Sequence, residues 1–134
     1  MRDILFRGRR TNNGDFVCGG YAYDTAWKKH FITHNTMWGS VVLCEVDGNT
    51  IGQYTGIDDK HDVHIYEGDI VKMKIETGPN AGFEWPNMTV AFADGAFSLM
   101  KRNGYVHCAL GGLAPTITLE VVGNIHEQDE GAVL

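Results

Sequence analysis

One stretch of this sequence, residues 69–77, constrains the fold more than any other, because apolar residues recur there at every second position. Val71, Met73 and Ile75 occupy one set of alternate positions, and mostly charged residues occupy the other. Side chains of a β-strand point to opposite faces in turn, so this pattern predicts a strand with one buried face and one solvated face. A helix would instead repeat its apolar positions every three or four residues.

The rest of the chain indicates more strands of the same kind. Glycine accounts for 17 of the 134 residues, nearly twice the usual share, which is typical of a chain with many tight turns. Asp94-Gly95 lies between two apolar runs and predicts a two-residue hairpin. Only short helical turns are predicted, near residues 23–29 and 108–113. Further strands are predicted at residues 4–7, 16–23, 30–33, 41–46, 88–92, 96–100 and 117–125.

These patterns predict a mainly β protein of two parts. Residues 1–52 are expected to form an irregular β-rich N-terminal subdomain, and residues 53–134 a regular C-terminal subdomain. The boundary is placed near residues 52–60, where Thr55-Gly56 and Asp58-Asp59 have turn chemistry. Within the second part, residues 54–127 are expected to form a small, closed or nearly closed β-barrel.

Composition excludes several classes of protein. No run approaches the roughly 18 apolar residues of a membrane span, and the first residues lack the apolar core of a signal peptide. The three cysteines, Cys18, Cys44 and Cys108, are widely spaced and odd in number, so neither a disulfide framework nor a zinc site is expected. These features favour a cytoplasmic protein with no membrane partner.

A nucleic-acid-binding function is one alternative, because basic residues concentrate at the start of the chain. Residues 1–29 contain six Lys or Arg and three acidic residues, whereas residues 30–134 contain five and fourteen. Arg7, Arg9 and Arg10 could contact phosphates. The net charge of −6 opposes such binding unless the basic face is segregated from the acidic one.

A metal-dependent hydrolase is the other alternative. Residues 58–69 contain Asp58, Asp59, His61, Asp62 and His64, whose side chains are of the types that bind divalent metals. Their spacing matches neither an EF-hand nor a zinc motif, and consecutive carboxylates diverge on an extended chain. The simpler interpretation is a solvated turn. The sequence therefore predicts folding without metal, and thermal melts with and without a chelator are expected to coincide.

Three strings, in order along the chain, resemble the YopX-like proteins of phages and prophages. They are MRDILFRG at residues 1–8, QYTGIDDKHDVHIYEGDIV at residues 53–71 and LEVVGNIHE at residues 119–127. One departure is His61-Asp62, where the family usually has Asn-Gly, which argues against a type I′ turn there. The positions that match the signature are Phe6, Arg7, Tyr54, Thr55, Gly56, Ile65, Tyr66, Glu67, Gly68, Asp69, Val71, Gly123 and Asn124.

The resemblance implies an SH3-type barrel in the C-terminal part, opening at the turn formed by Glu67, Gly68 and Asp69. No activity is established for such proteins as a whole, so whether the chain is an enzyme stays open, with a non-enzyme favoured. The resemblance gives no catalytic, cofactor-binding or metal-binding residue. It implies an accessory protein, in the cytoplasm of a bacterial host, that binds a host or phage macromolecule. A protein partner is favoured over nucleic acid.

A homo-oligomer is a further expectation. Residues 41–44 have no Lys or Pro, and residues 117–122 carry only Glu120 as a charge, so both predicted strands would make poorly protected sheet edges. Pairing of such edges, together with three Trp and five Tyr, could bury apolar surface between identical subunits. The alternative is that another part of the chain covers these edges.

Overall fold

The computed structural model describes residues 2–127 and divides the chain into two compact units, Met1–Gly56 and Ile57–Leu134. Regular structure in both units is almost entirely antiparallel β, with two short 3₁₀ turns at Gly48–Thr50 and Leu110–Gly112. The strands are β1 Phe6–Arg9, β2 Phe16–Asp24, β3 Lys29–Asn35, β4 Val41–Val46, β5 Gly52–Asp58, β6 His64–Tyr66, β7 Asp69–Ile75, β8 Met88–Ala93, β9 Ala96–Met100, β10 Val106–Ala109 and β11 Ile117–Asn124.

In the first unit the strands lie in the order β4-β3-β2-β1-β5, and β5 continues across the boundary into the second unit. Val17, Ile32 and Val46 form its small buried core. The sheet curls so that the end of β1 meets the end of β4. The backbone N–H of Asp47 donates to the Arg9 carbonyl at 2.9 Å, and that of Thr11 donates to the Glu45 carbonyl at 3.2 Å. This contact covers the C-terminal half of β4.

The second unit contains a five-stranded sheet in the order β10-β9-β8-β7-β11, and β6 returns beside the end of β5 through a tight turn. Its core includes Ile65, Val71, Met73 and Leu99, all fully or almost fully buried. In β7 the buried residues alternate with partly exposed ones. The half-buried strand predicted from this alternation is therefore confirmed.

The predicted Asp94-Gly95 hairpin is also confirmed. Asp94 and Gly95 have φ of 53° and 82°, and Ala93 pairs with Ala96 directly before and after them. Positive φ at both central residues is the mark of a type I′ turn, whose twist matches that of the flanking strands.

Several local predictions are wrong. Thr55-Gly56 is not a turn but lies inside β5, where Gly56 accommodates a φ of 84°. Residues 23–29 form the hairpin between β2 and β3, with Lys28 at a φ of 55°, and not a helical turn. Residues 106–109 form strand β10, so the turn predicted at 108–113 shrinks to Leu110–Gly112. In each case strand pairing, with β1 for β5, between β2 and β3 for the hairpin and with β9 for β10, decided the backbone conformation over local preference.

Two larger predictions stay predictions. Among the described residues the edge strands β10 and β11 pair with β9 and β7 but not with each other, so closure into an SH3-type barrel is not established. The division into two subdomains between residues 52 and 53 also stays a prediction. Within residues 2–127 there is no helix with the length and hydropathy needed to cross a membrane.

Candidate functional site

The acidic and histidine-rich segment begins with a tight turn between β5 and β6. The backbone N–H of Asp59 donates to the Val63 carbonyl at 2.8 Å, and that of Asp62 donates to the Asp59 carbonyl at 3.0 Å. Asp62 has a φ of 63°, whereas His61 is not in the left-handed region. A type I′ turn needs positive φ at both central positions. The prediction that His61-Asp62 does not form a type I′ turn is therefore confirmed.

The Asp59 carboxylate holds this turn and ties it to β11. One oxygen accepts the backbone N–H groups of His61 at 2.8 Å and Val63 at 3.0 Å, and the other accepts that of Val121 at 2.9 Å. Burial alone would raise the pKa of Asp59, but these three donors outweigh it and the pKa lies below its ordinary value. The Asp59 carboxylate therefore has a structural role in the turn, which argues against a role as a metal ligand.

The other members of the segment point to different partners. His64 Nδ1 lies 2.6 Å from Asp58 Oδ1, and His61 Nε2 lies 3.7 Å from a Glu120 carboxylate oxygen. Within residues 2–127, no three His, Cys, Asp or Glu side chains are grouped in a way that could hold a metal ion. The carboxylates proposed for a metal-dependent hydrolase do not converge.

The centre of the family signature lies in the interior of the second unit. Ile65 and Val71 are fully buried, and Tyr66 and Asp69 are nearly so. An Asp69 carboxylate oxygen accepts the Tyr66 backbone N–H at 2.8 Å. Gly68, at a φ of 90°, donates its N–H to the Val90 carbonyl at 2.8 Å. These residues hold together the turn that leads into β7, and Glu67 between them is half-buried.

The outer parts of the signature are also embedded in local structure. Phe6 packs against the core of the first unit, and the buried Tyr54 donates its backbone N–H to the Leu5 carbonyl at 2.8 Å. Asn124 accepts the His126 N–H through its side chain at 2.8 Å, and Gly123 and Thr55 are half-buried. An interaction role for the signature positions stays a prediction.

The N-terminal arginines do not form a single basic face. Arg7 and Arg9 lie over the same Phe16 ring, at 5.2 and 5.8 Å from its centroid. Arg10 instead reaches Cys44, whose Sγ lies 3.1 Å from its guanidinium nitrogen. Stacking and hydrogen bonding in the first unit thus engage all three guanidinium groups.

Arg9 and Arg10 nonetheless line one cavity of the first unit, about 470 Å³ in volume, together with Lys28 and Lys29. Glu45 and Asp47 line it as well, and Lys29 Nζ lies 3.5 Å from a Glu45 oxygen. The acidic residues cancel half of the positive charge in this cavity.

Among residues 2–56, the hairpin that joins β3 to β4 carries the most exposed apolar side chains. Its turn is closed by the Thr36 N–H, which donates to the Ser40 carbonyl at 2.8 Å, and by Gly39 at a φ of 82°. Met37 and Trp38 project from it, 88% and 86% exposed. We call this hairpin's apolar residues the β4 surface; its members are Met37, Trp38, Val41, Val42 and Leu43.

The backbone of β4 adds unpaired polar groups to the β4 surface. The Glu45 carbonyl faces away from β3, because it accepts the N–H of Thr11. Alternate residues of an antiparallel strand turn their polar groups to the same side, so those of Val41 and Leu43 also face away from β3. In the part of the chain that the structure describes, nothing hydrogen-bonds to them. The N-terminal half of β4 is thus an open sheet edge.

The second predicted edge, β11, is an edge strand but is covered. The backbone N–H of Lys60 donates to the Leu119 carbonyl at 2.9 Å, and the Asp59 carboxylate accepts the Val121 N–H. The turn before β6 therefore satisfies the outward groups in the middle of β11. Of the two predicted weak edges, β4 is the one left open.

Sequence reasoning missed Met37 and Trp38 as members of this surface. Residues 35–40 have no clear strand or helix pattern, and the sequence groups the tryptophans only with the aromatic surface that could lie between identical subunits. The signal was present in Thr36, Gly39 and Ser40, small polar and turn-forming residues that flank a Met-Trp pair.

Comparisons with known proteins bear on the family and on the fold. A family model described as YopX protein matches residues 11–130. The crystal structure of protein EF1440 from Enterococcus faecalis is similar to this chain, with a TM-score of 0.55 and 24% sequence identity. The similarity covers 97% of this chain and 98% of that one, and at this identity it concerns the fold alone. The comparison with curated proteins found no match.

Proposed function

The chain belongs to the YopX protein family, and we propose that it is a non-enzymatic binding module that holds an extended segment of another protein at the β4 surface. The observation that carries this proposal is the coincidence of exposed apolar side chains and open backbone groups on one half of β4. An added strand would pair with Val41 and Leu43, and Trp38 would anchor its side chains.

The chemistry of the β4 surface favours a protein over nucleic acid. None of its five residues is charged, and the nearest charged residue of the same strand is the acidic Glu45. Phosphate groups need cations, whereas apolar patches rimmed by polar residues are typical of protein contacts. Trp and Met are also enriched at the centres of protein interfaces.

The geometry supports the two alternatives less well. A metal-dependent hydrolase would need converging ligands, but Asp59 is bound to backbone donors and Asp58 faces His64. Nucleic-acid binding through Arg7, Arg9 and Arg10 would need uncommitted guanidinium groups on one face, but Arg10 turns to Cys44. The basic cavity that contains Arg9 and Arg10 supports the second alternative.

The proposal places the protein as an accessory factor of a phage or prophage, acting in the cytoplasm of the bacterial host. Family membership and the resemblance of the central string support this setting. The partner would be a host or phage protein with an extended apolar segment.

The direct test is capture from host cells that express the phage genes, with the tagged protein and two variants. Leu43→Lys places a charge on the open edge, as natural edge strands do to prevent pairing. Trp38→Ala removes the anchor, and loss of an interface tryptophan costs about 2 kcal/mol, or about 30-fold in affinity. Val122→Lys is the matched control, because Val122 is an exposed apolar residue on the covered edge strand β11.

We expect one protein to be captured by the wild type and by Val122→Lys but not by Leu43→Lys, with Trp38→Ala greatly reduced. Capture that is equal for all four proteins would contradict the proposal. Light scattering separates the remaining outcome: a mass above 14.8 kDa that Leu43→Lys returns to 14.8 kDa would make a second copy of the chain the occupant.

A further inference from the structure

A second feature, independent of the β4 surface, is a cavity of about 610 Å³ in the second unit. It lies between the segment that leads into β8 and the turn that joins β9 to β10. Its volume falls within the usual range for small-molecule sites. Although the chain has a net charge of −6, no acidic residue lines this cavity. Its lining includes Trp85, Asn87, Lys101, Arg102, Asn103 and His107.

One wall of the cavity is the half-buried indole of Trp85, whose position is fixed from several sides. Its backbone N–H donates to the Met73 carbonyl at 3.0 Å. Phe83 meets the indole edge-to-face with ring centroids 4.9 Å apart, and His107 lies 6.1 Å away at an angle of 60°. A ring held in this way loses little conformational entropy when a planar ligand stacks on it.

The ordered turn between β9 and β10 contributes two cations to the lining of the cavity. The backbone N–H of Lys101 donates to the Tyr105 carbonyl at 2.8 Å, and that of Gly104 donates to the Lys101 carbonyl at 2.9 Å. Asn103 accepts the Tyr105 N–H through its side chain at 3.1 Å. Over residues 2–127, neither Lys101 nor Arg102 makes an ion pair. Both are exposed and available to an anion.

We infer that this cavity binds a nucleotide, with the base stacked on Trp85 and the phosphate held by Lys101 and Arg102. An aromatic platform beside cations is the arrangement that recognises a base with its attached phosphate. Asn87 also lines the cavity, and its amide can donate to and accept from a base edge. The nucleotide could be free or could belong to a single strand, because both present the same chemistry.

The test is a calorimetric titration of the full chain with two probes, adenosine monophosphate and a single-stranded deoxyoligonucleotide. Lys101→Gln with Arg102→Gln removes both cations from an exposed turn and should leave the fold intact. Trp85→Ala removes the platform, and we expect affinity to fall about tenfold or more in each case. The matched control is Lys28→Gln with Lys29→Gln, which removes the same charge from the basic cavity of the first unit.

The first supporting result is binding of the monophosphate that is weakened in both cavity variants and unchanged in the control. This result supports a free nucleotide as the ligand. Binding of the oligonucleotide alone, with the same dependence on the variants, supports a strand. The inference is overturned if neither probe binds at millimolar concentration, or if the control weakens binding as much as Lys101→Gln with Arg102→Gln. Because the glutamine pair lies on an exposed turn, this result does not depend on whether Trp85→Ala folds.

Discussion

Replacing Asp59 by asparagine is expected to destabilise the protein by about 3 kcal/mol. The amide keeps one acceptor for His61 and Val63, but it places an NH₂ group against the backbone N–H of Val121. Hydrogen bonds to a charged acceptor contribute about 1.5–3 kcal/mol each, and a buried donor without a partner costs about 1–3 kcal/mol. The midpoint of urea unfolding measures the loss.

Asp62→Asn is the matched control, because it makes the same chemical change in the same turn. Asp62 has a φ of 63°, which asparagine tolerates, so little change is expected. The pKa of Asp59 is lowered in the folded state, so its contribution is present above the ordinary carboxyl pKa of about 3.9 and is lost as pH falls through the lower folded value. The difference between wild type and Asp59→Asn should therefore shrink below about pH 4. Equal stability of Asp59→Asn and Asp62→Asn at pH 7 would show that Asp59 does not hold the turn.

Replacing Gly19 by alanine is expected to cost about 3 kcal/mol or more. A Cβ at this position would lie 1.8 Å from the Thr33 carbonyl oxygen and 3.0 Å from its carbon. Both atoms are backbone of the neighbouring strand β3, so the clash cannot be relieved by a side-chain rotation. Because β2 lies between β1 and β3, the sheet of the first unit must part or shift. Thermal unfolding is the measurement.

Gly111→Ala serves as the control for this change. A Cβ at Gly111 meets no atom within 4 Å, and its φ does not lie in the left-handed region. We expect a small effect of either sign there. Unfolding of Gly19→Ala and Gly111→Ala at the same temperature would contradict the close packing of Gly19 against the β3 backbone.

Much of the fold could be predicted because the decisive signals were local. The span of β4 was predicted residue for residue, as was that of β9, from β-branched or apolar runs that end at turn residues. In β7 the recurrence of apolar residues at Val71, Met73 and Ile75 sufficed. Apolar residues at every second position and Asp-Gly turns predict the backbone conformation from residues that are close in sequence.

The missed strands depend on pairing with a neighbouring strand rather than on their own sequence pattern. β5 contains Gly52 and Gly56, which read as turn residues, but β1 pairs with it through Phe6 and Arg7. β10 is four residues long and is specified by its pairing with β9. Short strands with weak propensity form when a neighbour supplies their hydrogen bonds, and a single sequence does not contain that information.

The candidate site was predictable only in part, for a similar reason. Poor edge protection at residues 41–44 was visible in the sequence, but so was that of residues 117–122. Only the structure distinguishes them, because Lys60 and the Asp59 carboxylate bond to β11 across more than 50 residues of sequence. Asp59 was a metal-ligand candidate for the same reason. The sequence does not show the three backbone N–H groups that donate to its carboxylate.

Amide hydrogen exchange of the complex with the captured protein tests strand addition at β4 most directly. The N–H groups of Val41 and Leu43 face away from β3, whereas that of Val42 faces β3. The proposal predicts that partner binding slows exchange at Val41 and Leu43 by at least tenfold, with a much smaller change at Val42. Unchanged exchange at Val41 and Leu43 in the saturated complex would contradict it, because the partner would then bind elsewhere on the chain.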